Sequence, residues 1–420
     1  MFALIGVTAI LLLSIALIVF RPHGLNEARA AVAGAVALLL FRFASFADLM
    51  QVTREVADVL LFLVGMMILT AVVERSGLFD LLALWTARAA RGSGYLLFLG
   101  VFLLGFAITA LLSLDVTVLV LTPIVYALAV RLQVKALPYL FVCTFVANTG
   151  SLLLPISNLT NLLAYGLLDL GFINFARLMF WPQLAALAVN IGVFFLIFRH
   201  QLPRRFDRDS LPARPEGVDP RFLRVSAVTL TLVLLALVVA GVRTWPIAIP
   251  ALIGGVALAA LGSGWRKVAP RAIVGEVSWS LIPFIIGMFT LIRGAERVWM
   301  AHLGGWLTLA AHGLPDLLLV AFGTGIGANL VNNIPMIGAA IGLLGNATPA
   351  AREPLALAAV LGANLGPTVT PFGSLATLLW LTIVRRKGEQ LSTLEYMRVG
   401  ILTAPPTLLA ATVALWLVIR

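Results

Sequence analysis

Apolar positions run through this chain in blocks of near-span length, and polar positions collect in short gaps between them. The pattern predicts membrane-crossing helices over Phe2–Phe20, Leu25–Phe41, Val56–Val73 and Leu178–Phe198, then over Val225–Val242, Pro246–Leu261, Val274–Ile292 and Arg398–Ile419. A bilayer-spanning helix needs about 20 apolar residues, and most of these blocks supply close to that. Four further apolar stretches are interrupted. Residues 95–132 and 314–344 are each broken near the middle by small or polar residues, at LLSLDVT (Leu111–Thr117) and NLVNNIP (Asn329–Pro335). We read both as re-entrant hairpins that enter and leave on one side. Residues 138–168 and 355–383 carry Gly, Pro and several polar side chains inside apolar flanks, the signature of a helix broken at membrane depth.

The two broken segments match. Shifting ANTGSLLLPISNLTNLL (residues 147–163) by 216 positions lays it on ANLGPTVTPFGSLATLL (residues 363–379). Ala147, Asn148, Gly150, Pro155, Leu159, Leu162 and Leu163 meet Ala363, Asn364, Gly366, Pro371, Leu375, Leu378 and Leu379, while Asn158 meets Ser374 and Asn161 meets Thr377. One such segment would read as a proline kink packed by small polar residues. Two in register, each preceded by an interrupted hairpin, argue instead for an inverted repeat. The expected architecture is an all-α polytopic membrane protein of about ten spanning helices plus two hairpins. Residues 1–198 form the first repeat and 225–420 the second, joined by a hydrophilic cytoplasmic linker over 199–224.

Composition agrees: of the 420 residues 61% are hydrophobic and 11% charged, far from a soluble domain. The net charge of +11 does not indicate nucleic acid, because the basic residues sit in the gaps between spans. Arg21, Arg75, Arg88, Arg91, Lys135, the seven arginines of the linker, Arg266, Lys267, Arg271, Arg385, Arg386 and Lys387 fall on one face of the predicted topology. Cytoplasmic loops are the basic ones, so both termini are expected outside, with residues 1–20 a retained first helix.

Chemistry concentrates at the breaks and hairpin tips. The candidate substrate contacts are Asn148, Thr149, Ser157, Asn158 and Asn161 in the first half. In the second they are Asn329, Asn332, Asn333, Asn364, Thr368, Thr370, Ser374 and Thr377. Fewer than half are expected to touch a ligand, the others capping helix ends. Asp115 is the single acidic residue left deep in the membrane by the topology, where carboxylates mark ion or proton pathways. It reads as a proton carrier, or as a cap on the second hairpin arm through the Val116–Val118 amides. Cys143 is the only cysteine, so no internal disulfide forms and no multi-thiolate site exists. The four histidines lack ligand spacing, which gives no metal site, and no cofactor, nucleotide-binding loop or nucleophile–base motif is visible. GTGIG at Gly323–Gly327 reads as a helix-packing stripe.

SLDVTVLVLTPIV, FVANTGSLLLPISNLTNLL, PFIIGMF and GPTVTPFGSLATLLW together resemble the ArsB-type arsenite/antimonite efflux permeases, within a superfamily that includes NhaD-like sodium/proton antiporters and dicarboxylate carriers. The resemblance covers essentially the whole chain. Two positions depart from it: Leu114 precedes Asp115 where members often carry Asn, and Asn148 stands where some carry an acid. The resemblance implies efflux of trivalent arsenic or antimony hydroxides across a bacterial inner membrane, driven by the membrane potential or by protons. In some operons it implies association with a cytosolic arsenite-stimulated ATPase subunit. With one cysteine, recognition is expected through hydrogen bonds to a neutral trihydroxide rather than through thiolates. The other reading within this superfamily is a sodium/proton antiporter or anion carrier, since sodium sites also use Ser, Asn and Thr near broken helices. A membrane-embedded enzyme would require paired acids, His clusters or nucleophiles at depth, and none is present.

Overall fold

A computed structural model describes residues 2–420 except 21, 23–24, 169–170, 216, 244, 304–312 and 345–346. Its described elements are helical. The first half comprises α1 (Phe2–Phe20), α2 (Glu27–Leu40), α3 (Phe46–Arg75), α4 (Leu78–Ala89), α5 (Gly94–Leu111), α6 (Leu114–Val116), α7 (Thr122–Arg131), α8 (Ala136–Thr149), α9 (Leu159–Leu168) and α10 (Phe172–Phe198). The second comprises α11 (Pro220–Val242), α12 (Ala248–Gly264), α13 (Pro270–Glu276), α14 (Leu281–Leu303), α15 (Leu314–Val331), α16 (Asn333–Leu343), α17 (Pro349–Leu365), α18 (Leu375–Arg386) and α19 (Thr393–Ile419). Eight described spans are long and apolar enough to cross a bilayer.

Several helices exceed the apolar block that predicts them, because caps rather than hydropathy set their ends. Ser45 and Asp48 form a reciprocal capping box that starts α3 at Phe46, ten residues before Val56. Ser392 and Glu395 do the same for α19. Two helices fall in a segment read as loop or at the edge of a span. The first, α4, buries Leu78, Phe79, Ala83, Leu84 and Ala87 at helical spacing while leaving Asp80 and Arg88 toward the surface. The second is the short α13.

The helices pack crosswise between the halves. α3 lies along α12, and in the same relation α14 lies along α2, with α1 and α11 completing this group. At the α3–α12 crossing Gly65 faces the backbone of Ala251 and Leu252, where a Cβ would come within 2.6 Å of the main chain. At the α14–α2 crossing, a Cβ on Gly287 would approach the Ala31 backbone to 2.9 Å. Small residues here let helix backbones meet. A second group gathers the hairpins, the broken helices and α10 packed along α19. Its core is aromatic: Phe141 and Phe145 of α8, Phe194 and Phe198 of α10, Trp380 of α18 and Tyr396 of α19 pack ring to ring. The Trp380 indole donates to the Leu140 carbonyl across the halves at 2.9 Å.

The helices are interrupted at all four polar gaps, and each pair of helices joined at Leu112–Ser113 or Asn332 is here termed a hairpin. Hairpin 1 consists of α5 and a second arm over Leu114–Arg131, in which a π-helical turn (Thr117–Leu121) joins α6 to α7. Thr109 and Thr117 bridge the arms at 2.7 Å. Hairpin 2, α15 and α16, turns at Asn332, which adopts φ 76°. The GTGIG stripe packs α15 onto α17: a Cβ on Gly366 would stand 2.7 Å from the Gly325 carbonyl. The linker is pinned beneath hairpin 1, with Arg88 donating to the Pro212 carbonyl and Arg131 to that of Ser210. At its end Asp219 caps α11 and pairs with Lys267 at 2.8 Å, and these partners hold its carboxyl down at about 2.

Candidate functional site

Each break frees backbone groups that must be satisfied inside the protein. In the first break α10 does this with one side chain. Gln183 donates its amide to the Thr149 carbonyl at 2.9 Å and accepts from the Leu152 N–H at 3.0 Å, spanning the interruption. Asn190 donates to the Thr149 hydroxyl at 2.7 Å. In the second break the bridge comes from hairpin 2. Asn329 donates to the Gly366 carbonyl at 2.7 Å, and its oxygen accepts from both the amide and the hydroxyl of Thr370 at 2.9 Å. Sequence reasoning did not single out Gln183 or Asn190. Their signal was present, two amide side chains seven residues apart on an apolar span.

The hairpin tips are tied to the breaks. Ser157 donates to the Ala110 carbonyl at the end of α5, 2.9 Å away. Asn332 reaches the Phe372 carbonyl at 3.4 Å, and its oxygen accepts from the Ile334 N–H. Thr368 bonds back to the Leu365 carbonyl at 2.6 Å. Asn148 donates to Thr144 one turn earlier in its own helix, its oxygen unpartnered. Thr377 is fully buried with its hydroxyl unpaired, facing Tyr396. Thus Asn148, Thr149, Ser157, Thr368, Thr370 and Asn332 are engaged within the protein framework, and Thr377 is buried in it.

Asn364 clasps the two breaks together. Its oxygen accepts from Asn158 at 2.9 Å and from the Thr160 hydroxyl, and its amide donates to the Asn161 oxygen at 2.6 Å. Asn161 in turn donates to the Ser151 and Leu154 carbonyls at 2.6 and 3.0 Å. The repeat pairs Asn364 with Asn148 in sequence, yet in space Asn364 crosses to the opposite break and Asn148 does not.

Beside this clasp lies a cavity of about 290 Å³. Hairpin tips and breaks supply Asp115, Asn158, Asn333 and Ser374 to its wall; α2, α3 and the connector between α13 and α14 supply Glu27, Met67, Ser278 and Ser280. Ser374 and Asn333 are 2% and 4% exposed, and neither side chain has a hydrogen-bond partner among the described residues, so both present polar groups to the cavity. Asp115 is exposed to this space and makes no hydrogen bond or ion pair among the described residues. It does not cap the second arm. That role belongs to Ser113, whose hydroxyl accepts from the Val116 N–H at 3.4 Å, because the Ncap position precedes the helix and Asp115 lies inside its first turn. Among the described residues no Lys, Arg, His or Cys lines the cavity. Cys143 is buried elsewhere in α8, its thiol against the Tyr139 carbonyl. Among the described residues no cluster of His, Cys, Asp and Glu could hold a metal ion. Glu27, Ser278 and Ser280 were not singled out from sequence, since each sits at a helix start where capping is the ordinary expectation.

A family model described as "Arsenical pump membrane protein" (ArsB) matches residues 6–419. The arsenical pump membrane protein of Yersinia enterocolitica is 30% identical over 418 residues, covering 97% of both chains. That of Escherichia coli K12 is 31% identical over 416 residues with the same coverage. Among solved structures, the Alcanivorax borkumensis YdaH transporter superposes with a TM-score of 0.59 over 89% of this chain and 87% of its own. At 18% identity that likeness is one of fold. A match running almost from end to end, over hairpins, breaks and cavity alike, places this chain in the ArsB family of arsenical pump membrane proteins.

Proposed function

We propose that the chain is a secondary carrier that exports trivalent arsenic and antimony hydroxides in exchange for protons, by alternating access to the cavity beside the breaks. The observation that carries this reading is the cavity's donor set: hydroxyls, carboxamides and carboxylates, with no thiol and no cation among the described residues. A neutral trihydroxide donates and accepts hydrogen bonds at every oxygen, and such groups match it. An anion would find no counter-charge among the described residues of the wall. Contacts of this kind are also weak enough to release what they bind.

Asp115 supplies the coupling. A carboxylate moved across a closed intermediate without a partner is expensive. Transit therefore favours two forms of the carrier: loaded, with substrate hydroxyls donating to the Asp115 carboxylate, or empty, with a proton on it. Carriers that cross only in these two forms exchange substrate for proton. The cavity is lined by the first residue of α2, the residues leading into α14 and the stretch from Ser374 into α18 as far as Thr382, and the starts of α2 and α14 lie next to basic gaps of the sequence. By the distribution of basic residues the side of those gaps is cytoplasmic, and it is the face on which a cytosolic ATPase subunit would dock.

Arsenite uptake into everted vesicles, with and without an inward-acid gradient and with a sodium gradient as comparison, tests the proposal. We expect gradient-driven arsenite accumulation, lost in Asp115→Asn while the variant still inserts and carries out arsenite exchange. Sodium-dependent pH change without arsenite flux would replace it with the antiporter reading.

A further inference from the structure

The cavity wall is contributed by both groups of helices, which meet where α14 packs on α16 and α3 on α9. Asp115, Asn158, Asn333 and Ser374 belong to the hairpins and broken helices. Ser278 and Ser280 belong to the connector between α13 and α14, in the group built on the α3–α12 and α2–α14 crossings. Neither serine side chain has a hydrogen-bond partner among the described residues. Both sit two residues apart on a connector that is itself held in place. The Trp279 indole between them donates to the Val274 carbonyl of α13 at 2.9 Å, and the Leu281 N–H donates to the Ser278 carbonyl at 2.9 Å. Free hydroxyls on a braced connector, facing a polar cavity, are pre-positioned donors and acceptors.

We propose that Ser278 and Ser280 form a second wall of the substrate site, one that holds the trihydroxide only while the cavity faces the linker side. The proposal rests on the carrier reading above. For substrate to leave on the other side, the wall formed by hairpins and breaks must separate from the wall formed by the connector. The contacts to Asn333, Ser374 and Asp115 travel with the substrate; those to Ser278 and Ser280 stay behind. Affinity therefore differs between the two faces, by the hydrogen bonds this connector adds. Two neutral hydrogen bonds correspond to roughly a tenfold difference in affinity.

The test is entry of labelled arsenite in exchange for a saturating internal arsenite pool, with only the external concentration varied, in everted and in right-side-out vesicles, comparing wild type with Ser278→Ala/Ser280→Ala. The expected result is a rise of about tenfold in half-saturation at the cytoplasmic face only, with the maximal rate within about twofold of wild type. Ser278→Thr/Ser280→Thr, which keeps the hydroxyls, is expected to restore the wild-type value. Equal shifts at both faces, or none at either, overturn the second wall. Absence of arsenite exchange in the wild type is a different failure. It removes the carrier reading, and the two-face comparison is then made with sodium as probe, under the same criterion.

Discussion

Asn364 and Asn148 occupy equivalent positions in the two breaks, and their side chains do different work. Replacing Asn364 by Ala leaves the Thr160 hydroxyl and the Asn161 oxygen buried without a partner and removes the stronger partner of Asn158. Each orphaned buried group costs about 1–3 kcal/mol, so the variant is expected to lose about 3 kcal/mol or more. Asn148→Ala removes one bond within a single helix and relieves an oxygen that is already unpaired, at a cost of about 1 kcal/mol or less. Thermal unfolding in detergent of the two variants side by side checks the difference. Equal destabilisation would contradict the clasp. The sequence repeat identified both positions and could not separate them, because internal similarity aligns backbone positions while a pseudo-symmetric fold decides which side chains meet. The same limit applies to the cavity. Asp115, Asn333 and Ser374 were legible as polar residues at tips and breaks, whereas Ser278 and Ser280 resemble ordinary residues before a helix.

At the level of elements, hairpins and broken helices were readable because Gly, Pro and polar side chains cannot be hidden in a span without purpose. Helix ends were less readable. Ser45 and Ser392 extend α3 and α19 through capping boxes beyond their apolar blocks, and α4 mixes charges into an amphipathic turn. The first break depends on an element distant in sequence, since Gln183 of α10 satisfies a carbonyl and an amide on either side of the interruption. Gln183→Leu strands both groups at membrane depth, and about 2–5 kcal/mol of stability should be lost. Gln183→Glu keeps the acceptor for Leu152 but cannot donate to Thr149 when ionised. It is expected to fall between Leu and wild type as pH is lowered and the carboxyl gains a proton. Melting temperatures measured across pH for the three proteins test this order.

The whole molecule consists of two helix groups built from both halves of the chain, so neither group belongs to one half. The α3–α12 and α2–α14 crossings knit the first, and α10 against α19 with its aromatic cluster knits the second. A reader of the sequence sees two repeats in succession; the fold interleaves them. We propose the orientation from the linker and the other basic gaps, most of which fall on one side of the predicted topology. Alkaline phosphatase fused after Arg420 is expected to be active and a fluorescent protein there dark, placing the C-terminus outside. The reverse pattern would invert the assignment of the cavity to the cytoplasmic face.

The clasp at Asn364 also sets a schedule for biosynthesis. Asn158 and its partner are 206 positions apart. At ordinary translation speeds that separation is on the order of ten to forty seconds. Throughout that interval the first half can be inserted but not finished, its break holding the Asn161 side-chain oxygen and the Thr160 hydroxyl without the partner that completes them. Water, lipid headgroups or an insertion factor must shelter those groups until the second half arrives, and a ribosome that stalls inside the linker leaves behind a fragment marked for removal by its own unsatisfied core.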